Sequence, residues 1–265
     1  MPFSLQTFDL GDMLRCGLQA RRACEGAGSM EEAAQALVRY FREEAVGADG
    51  QPECALVRFY KTHPYGILEP EQQAFAQRAM GERQPWDEMK CLVLLATAGD
   101  QPQWNARRSS SGHQAIPLPS AQIVEQAPMI AELIRQMGLD IESVVSPRPE
   151  LLRGVEGKTY NVFYVPEALG SPYIPAQDDF VRPHRIRSVV GFGGLLSGGE
   201  LFAVILFSRV EVPQESAARF RNIALDLKLA VSAFGPDHVF APPSLATDAL
   251  RGSTDSRPAA APPSA

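Results

Sequence analysis

A small set of polar and aromatic residues in two segments is best suited to hold a small molecule. Its members are Trp104, Arg107, Arg108, His113, Tyr173 and Gln177. Aromatic walls with a few converging hydrogen-bond donors are typical of small-ligand sites, and the paired arginines favour an anionic group. We predict these residues as a ligand site, with the unidentified small molecule as its partner. A plain surface loop has the same composition, and this alternative stays open.

A metal site is the second chemistry to consider. Asp178 and Asp179 with His184 offer oxygen and nitrogen ligands of the types that suit a divalent cation. The neighbouring Arg182 and Arg185 would neutralise these carboxylates by simple ion pairing. We therefore interpret the segment as a solvated turn and predict no metal ligand.

Glycines at positions 191, 193 and 194 invite comparison with a dinucleotide-binding turn. Such a turn leads from a strand into a helix, whereas these glycines lead into a hairpin, which indicates close backbone packing instead. The sequence also lacks a phosphate-binding loop, a zinc-protease motif and a serine nucleophile elbow. We accordingly predict no catalytic residue, and the sequence leaves any cofactor unknown.

Composition narrows the function classes. A net charge of −6 and an isoelectric point near 5.3 argue against a nucleic-acid partner, because such proteins usually present a basic face. No apolar run approaches the roughly 18 residues of a membrane span, and the start lacks the pattern of a signal peptide. We expect a cytoplasmic protein with no membrane partner. Its 4 cysteines form no C-x-x-C pair and are expected to be reduced and mostly buried.

The elements that must position these residues follow from periodicity and capping. A first helix is predicted from about Asp9 to Arg22. Ser29 and Glu32 form a predicted capping box for a second helix, which Gly47 is expected to end. Further helices are predicted at Glu71–Met80 after Pro70, at Ser120–Met137 with a kink at Pro128, and at Pro213–Phe234.

Apolar runs predict the strands. They are Cys54–Tyr60, Lys90–Ala98, Tyr160–Val165, Ser188–Gly193 and Leu201–Phe207. The turn at Ser197–Gly199 is expected to join the last pair as an antiparallel hairpin. His63, just before Pro64, is interpreted as a loop residue.

This order of elements resembles a GAF domain over roughly Ser29 to Phe234. The corresponding segments are Met30–Tyr60 with the entry helix and first strand, Arg187–Phe192 and Glu200–Ser208 with the last two strands, Val212–Phe234 with the exit helix, and Gly112–Leu118 with the loop that leads to the ligand pocket. The resemblance implies an α/β (α+β) fold in which helices flank one antiparallel sheet. We expect Met30–Val46 and Val212–Phe234 on one face and Gly99–Tyr160 on the other.

The resemblance also implies a function. We expect a non-catalytic sensory domain, similar to the segment ahead of bacterial signalling kinases, that signals through dimer helices or through a separate kinase or regulator. A pocketless dimerisation scaffold is one alternative. Another is a GAF-type thiol enzyme that reduces free methionine sulfoxide, but Cys54 and Cys91 are expected at opposite ends of paired strands, beyond disulfide reach.

Apolar residues left over from the core predict a homodimer. Leu10, Leu14 and Leu18 of the first helix, with Leu225 and Leu229 of the last, have no evident place in the core. We therefore divide the chain into an N-terminal dimerisation helix at 1–28, a GAF-like sensory domain at 29–240 and a disordered Pro/Ala/Ser-rich tail at 241–265.

The loop positions of Arg107 and His113 imply that Arg107→Ala or His113→Ala weakens ligand binding and leaves the melting temperature nearly unchanged.

Overall fold

A computed structural model of the chain describes residues 2–110, 112–147 and 160–242. Its strands are β1 Cys54–Pro64, β2 Lys90–Gly99, β3 Ala115–Leu118, β4 Asn161–Val165, β5 Ser188–Leu195 and β6 Leu201–Ser208. They form one six-stranded sheet in the order β3-β2-β1-β6-β5-β4. Every neighbouring pair is antiparallel, which confirms the predicted fold class.

Helices cover both faces of this sheet. They are α1 Leu10–Ala23, α2 Met30–Glu44, α3 Pro70–Met80, α4 Ala121–Val124, α5 Pro128–Gln136, α6 Ile141–Val145 and α7 Gln214–Val231. One core cluster joins α1, α2 and α7 to one face, and a second joins α4, α5 and α6 to the other. Because successive strand residues point to opposite faces, the buried β2 run supplies both clusters, with Val93 in the first and Leu94 in the second.

The first cluster centres on aromatic rings from separate elements. Phe41 of α2 and Phe220 of α7 both pack on Phe192 of β5, with ring centroids 5.4 and 5.0 Å away. On α7 the buried residues recur in steps of three and four, as Phe220, Ala224 and Leu227 show. This periodicity presents one continuous stripe of the helix to the sheet.

The helix starts largely follow the predicted capping. At α2 the Ser29 side chain accepts a hydrogen bond from the Glu32 amide at 3.2 Å, which is half of the predicted capping box. The Glu32 carboxylate instead accepts from the Gly28 amide at 2.7 Å. Asp9 and Asp12 form a complete reciprocal box at the start of α1. Pro70 is the first residue of α3, as the sequence predicted.

Several helix ends differ from the predictions. Helix α2 ends at Glu44, before Gly47, because the next residues leave the helix to pair with other parts of the chain; the Val46 amide donates to the Phe3 carbonyl at 2.9 Å. The predicted helix at 120–137 is interrupted before Pro128, whose ring lacks the N–H that a continuous helix needs. Helix α7 ends at Val231, short of the predicted Phe234.

Strand β1 is longer than its apolar pattern predicted, and the interpretation of His63 as a loop residue was wrong. His63 lies in β1 opposite Cys91 and is only 2% exposed. Its ring packs against Phe240 at a centroid distance of 5.5 Å, and its Nε2 atom is buried without a hydrogen-bond partner among the described residues. Burial, together with the charges of Lys61 and Lys90, lowers the pKa of His63 well below its ordinary value.

We predict from His63 that the protein loses stability in mild acid. A folded-state pKa below the unfolded value means that the unfolded chain binds more protons, so stability falls as pH drops below about 6.5. The expected loss from this residue is about 1 kcal/mol between pH 7.5 and 5.5. Urea denaturation at both pH values measures it. His63→Phe should lose less stability than wild type over this interval, and the exposed His238→Asn should lose as much; an unchanged loss in His63→Phe contradicts the prediction.

The predicted pocket loop at 112–118 contains a strand. Ala115–Leu118 pairs with β2 as the edge strand β3, with Pro117 opposite Cys91. Proline is tolerated there because an edge strand leaves one row of amide positions unpaired. The described residues before it, 100–110 and 112–114, belong to the loop that reaches over the sheet.

The described part of residues 1–28 packs on the same core as the rest of the protein. Phe8 stacks on Phe220 at 4.7 Å, and Met13, Cys16 and Ala20 are buried on α1. Helix α1 therefore lies beside α7 instead of projecting from the domain. In the predicted tail at 241–265, residues 243–265 lie outside the described residues.

Across the described ranges of the chain, none of the helices is both long enough and apolar enough to pass through a bilayer.

Candidate ligand-binding cavity

A cavity of about 340 Å³ lies between the sheet and the segments that cross its second face. Leu56, Arg58 and Tyr60 of β1 form its floor, with Ile205 and Phe207 of β6 beside them. The opposite walls consist of Trp104, Gly112, His113, Ile116, Ala127, Pro128, Met129, Ile130, Leu133, Ile174, Pro175, Ala176 and Phe180, and Leu92 of β2 completes the lining. Larger depressions of about 640 and 1050 Å³ also occur, but they lie near strand ends and are wider open to solvent.

The floor follows from strand alternation. Leu56, Arg58 and Tyr60 point to the cavity, whereas Val57 and Phe59 belong to the opposite core cluster. Arg58 and Tyr60 are two residues apart in β1, so alternation places their polar side chains next to each other on the cavity face.

Aromatic rings from distant parts of the chain make one wall. The Trp104 and Phe180 rings lie 5.8 Å apart edge to face, and Phe180 meets Phe207 at 5.0 Å in the same manner. The His184 ring packs against the Trp104 ring, with a centroid distance of 4.6 Å. Such edge-to-face contacts hold the rings in fixed orientations, so this wall is preformed.

The polar groups of the cavity converge at one place. The Arg58 guanidinium donates from Nη1 to the Tyr60 hydroxyl at 3.1 Å and from Nη2 to Ser110 Oγ at 3.3 Å. His113 stands in the left-handed backbone region, with φ of 59°, at the point where the loop turns into the cavity. Partial desolvation at the cavity lowers the pKa of His113, and the charge of Arg58 lowers it further.

The structure brings only part of the predicted site together. Trp104 and His113 line the cavity. Arg107, Arg108, Tyr173 and Gln177 do not belong to its lining. The binding role of Trp104 and His113 stays a prediction, now with a defined cavity around it.

Arg107 is engaged in the protein itself. It is 6% exposed and donates from Nη1 to Glu69 at 2.7 Å and from Nη2 to Glu31 at 2.7 Å. Its guanidinium also lies 5.2 Å from the centre of the Phe240 ring. Arg108 shares Glu69 at 2.7 Å. The anion expected beside the arginine pair is thus supplied by two carboxylates of the chain.

Gln177 organises its own loop. Its side-chain amide donates to the carbonyls of Ala168 and Ile174, at 3.0 and 2.6 Å, and its oxygen accepts from the Gly170 amide at 2.8 Å. Tyr173 is partly exposed in the same loop. The loop still contributes to the cavity, because the residues between them, such as Pro175 and Ala176, form part of the wall.

The residue that sequence reasoning missed is Arg58. Its one signal is a single arginine inside an otherwise apolar strand, which is costly to bury unless its charge is used. The apolar pattern of Cys54–Tyr60 predicts the strand but does not indicate which face of the sheet that arginine occupies. The tertiary structure shows that its side of β1, shared with Leu56 and Tyr60, faces the cavity.

The segment considered for a metal forms a helical turn at the surface. Asp178 pairs with Arg182 at 3.2 Å, and both side chains are exposed. His184 packs on Trp104 rather than turning toward the carboxylates. Within residues 2–110, 112–147 and 160–242, no group of His, Cys, Asp and Glu side chains is arranged to hold a metal ion.

The cysteines are poorly suited to thiol chemistry. All 4 are buried as free thiols. Burial raises the pKa of Cys16, Cys54 and Cys91 to about 12 and that of Cys24 to about 11. Cys91 lies opposite His63, at the other end of β1 from Cys54, so these two thiols cannot form a disulfide.

No protein-family model matches the chain, and no curated protein does. Among solved structures, it is similar to a phycoerythrobilin-bound GAF domain from a cyanobacterial phytochrome. The identity is 10%, the match covers 83% of this chain and 91% of that one, and the TM-score is 0.36. The sequence identity and the TM-score are both low, and the ligand of that domain is not attributed to this chain.

Proposed function

We propose that the chain is a non-catalytic, GAF-like sensory domain that binds a small molecule in the cavity between β1 and the Gly99–Gln114 loop. The observation that carries this proposal is the cavity itself, which combines an apolar lining with one cluster of converging polar groups. Such sites typically have volumes from about 300 Å³ upward, so this cavity can enclose a small metabolite. Its presence favours a binding role over a pocketless scaffold.

Filling the cavity tests the proposal. Ala127 lines the wall, so Ala127→Trp is expected to occupy the ligand volume and abolish the increase in melting temperature that a ligand produces in wild type. The measurement is a thermal-shift screen of metabolites, with native mass spectrometry of the purified protein to detect a molecule that co-purifies. Ala74→Trp, at an exposed position on α3, is the matched control and should respond as wild type does.

Two results would contradict the sensory proposal. One is that no compound stabilises the wild-type protein and no small molecule co-purifies with it. The other is that Ala127→Trp responds to a ligand as strongly as Ala74→Trp, because the ligand would then bind elsewhere.

We further propose that the output passes through a homodimer, or through a separate signalling kinase or regulator, by way of α1 and α7. These helices run side by side: the Asn222 amide approaches Met13, and Arg21 pairs with Asp226 at 3.4 Å. Five leucines on their outer surfaces are 42% to 65% exposed, namely Leu10, Leu14, Leu18, Leu225 and Leu229. Apolar stripes on neighbouring helices are best buried against a second copy.

We predict that Leu14→Glu combined with Leu229→Glu converts the dimer to a monomer, because the introduced charges would have to be buried between the copies. Light scattering at micromolar concentration measures the mass. Ile67→Glu, at an exposed apolar residue away from both helices, is the control and should remain a dimer. A monomeric wild-type chain, or a double variant that stays dimeric, contradicts the prediction. Point variants are preferable to deleting residues 1–28, because that deletion removes Phe8 and other core residues.

A further inference from the structure

Arg58 carries a buried charge that the described protein does not neutralise. The residue is 9% exposed in the middle of β1, flanked by strands on both sides. Within the described ranges, the oxygens that its guanidinium reaches are neutral ones, those of Tyr60 and Ser110. Its Nε atom is buried with no hydrogen-bond partner among the described residues. A guanidinium in this setting destabilises the folded protein, because the buried charge loses its hydration and no counter-ion compensates for that loss.

The described surroundings of Arg58 contain no acid that would neutralise its charge. Among the residues that the structure describes, none that lines the cavity is Asp or Glu. In residues 2–110, 112–147 and 160–242, carboxylates pair with other arginines, such as Arg42, Arg107 and Arg209, but none pairs with Arg58. His113, which also lines the cavity, has a pKa lowered by partial desolvation and by the charge of Arg58, and its side chain supplies no negative charge. The described lining of the cavity therefore presents the positive charge of Arg58 to a bound ligand.

The rest of the cavity is suited to an apolar body. Leu92, Ile116, Leu133 and Ile205 line it together with the ring of Trp104. A ligand that satisfies both parts carries one negative group at one end and an aromatic or branched aliphatic group at the other. A planar carboxylate is the matching anion, because guanidinium binds it through parallel hydrogen bonds.

We propose that the cavity binds a small amphipathic carboxylate, with the carboxylate on Arg58 and the apolar body against Trp104 and the leucine and isoleucine side chains. This assignment rests on the proposed function, since it names the chemical class of the molecule that the sensor detects. Arg58 is the residue that determines charge specificity. Without ligand, it keeps the site in a destabilised state that binding relieves.

Matched acids and amides test the charge requirement. The probes are indole-3-acetate with indole-3-acetamide and octanoate with octanamide, added to the full chain and followed by calorimetry and by thermal shift. At least one acid is expected to bind about tenfold or more tightly than its amide, because a charge-assisted pair is replaced by a neutral contact. In Arg58→Gln the acid should lose this advantage. Arg78→Gln, on the exposed side of α3, should behave as wild type.

A stability measurement tests the same idea without a probe. If Arg58 is an unpaired buried cation, Arg58→Met should raise the melting temperature of the ligand-free protein by about 2 °C or more, since an apolar side chain of similar length replaces the charge. A lower melting temperature for Arg58→Met would show that the arginine is structural and overturn the proposal.

The outcomes separate this proposal from the one on which it rests. If no acid binds, or if amides bind as tightly as acids in wild type and in Arg58→Gln, the carboxylate assignment fails. The sensory function survives that failure when a neutral molecule co-purifies or stabilises wild type and not Ala127→Trp. When nothing binds at all, both proposals fail.

Discussion

Arg107→Ala is expected to lower the free energy of unfolding by about 3 kcal/mol, the scale on which a mostly buried ion pair fails when one partner is removed. The variant would remove the Arg107 cation from the partly buried carboxylates of Glu31 and Glu69. It would also remove the cation that lies above the Phe240 ring. Guanidinium denaturation at neutral pH measures the loss. This expectation is the reverse of the one drawn from the loop position of Arg107 alone, which implied an unchanged melting temperature.

Arg108→Ala is the matched control for this prediction. Its side chain is 42% exposed and makes a single ion pair with Glu69. Exposed pairs of this kind contribute about 0 to 1 kcal/mol, so the control should unfold close to wild type. Equal stability of the two variants would contradict the structural role of Arg107.

Arg107→Ala is also expected to loosen the packing of the chain near residue 240. The Glu31 amide donates to the Val239 carbonyl at 2.8 Å, and the Glu31 carboxylate accepts from the Ala241 amide at 3.0 Å. Arg107 orients that carboxylate and stacks on Phe240, so its loss removes contacts on both sides of the segment. Faster proteolytic cleavage between residues 235 and 245 in Arg107→Ala than in Arg108→Ala is the expected result. Trp104 and His113 line the cavity and lie on the same loop as Arg107. The contacts of Arg107 with Glu31 and Phe240 therefore also connect the cavity to the segment near residue 240.

Gly193→Ala is expected to be the most damaging of the single methyl additions in the sheet, with a loss of about 3 kcal/mol or more. A β-carbon at Gly193 would point into the backbone of β6, where it would overlap the Phe202 carbonyl oxygen and lie 2.9 Å from the Ala203 α-carbon. Backbone atoms in the middle of a paired strand cannot move aside without breaking the ladder. The close packing predicted for this glycine-rich stretch is thereby confirmed.

Gly191→Ala on the same strand provides the comparison. Its β-carbon would lie 3.1 Å from Phe163 Cδ1 and 3.2 Å from Phe163 Cβ, contacts that a shift of a few tenths of an ångström relieves. We expect a loss of about 1 kcal/mol for this variant by urea denaturation. If Gly193→Ala were as stable as Gly191→Ala, the tight approach of β5 and β6 would not be a constraint on the fold.

The elements of this protein were largely predictable because their signals are local. Pro70 begins α3, Asp9 precedes α1, and Gly199 with φ of 83° allows the tight turn between β5 and β6. Each of these effects acts within one turn of helix or one hairpin, so neighbouring residues suffice to recognise it. Apolar runs such as Val93 and Leu94 likewise predicted a strand covered on both faces.

The candidate site was predictable only in part, because its members meet across long stretches of chain. Trp104 and His113 were recognised as residues of a loop that reaches the ligand, and the structure places both at the cavity. Arg107 has the same local signature, yet its partners Glu31 and Glu69 lie 76 and 38 residues away. No local pattern distinguishes an arginine that awaits an anion from one that already has two.

Capping and periodicity alone determined which segments of this chain form helices and strands and in what order, and composition determined its net negative charge. Tertiary structure alone decided which charges are neutralised. The packing of β1 in the sheet places Arg58, with Leu56 and Tyr60, on the face that lines the cavity, and Phe240 packs against His63. The physical reason is that burial and ion pairing depend on atoms brought together by folding, whereas helix and strand formation depend on atoms already adjacent in the chain.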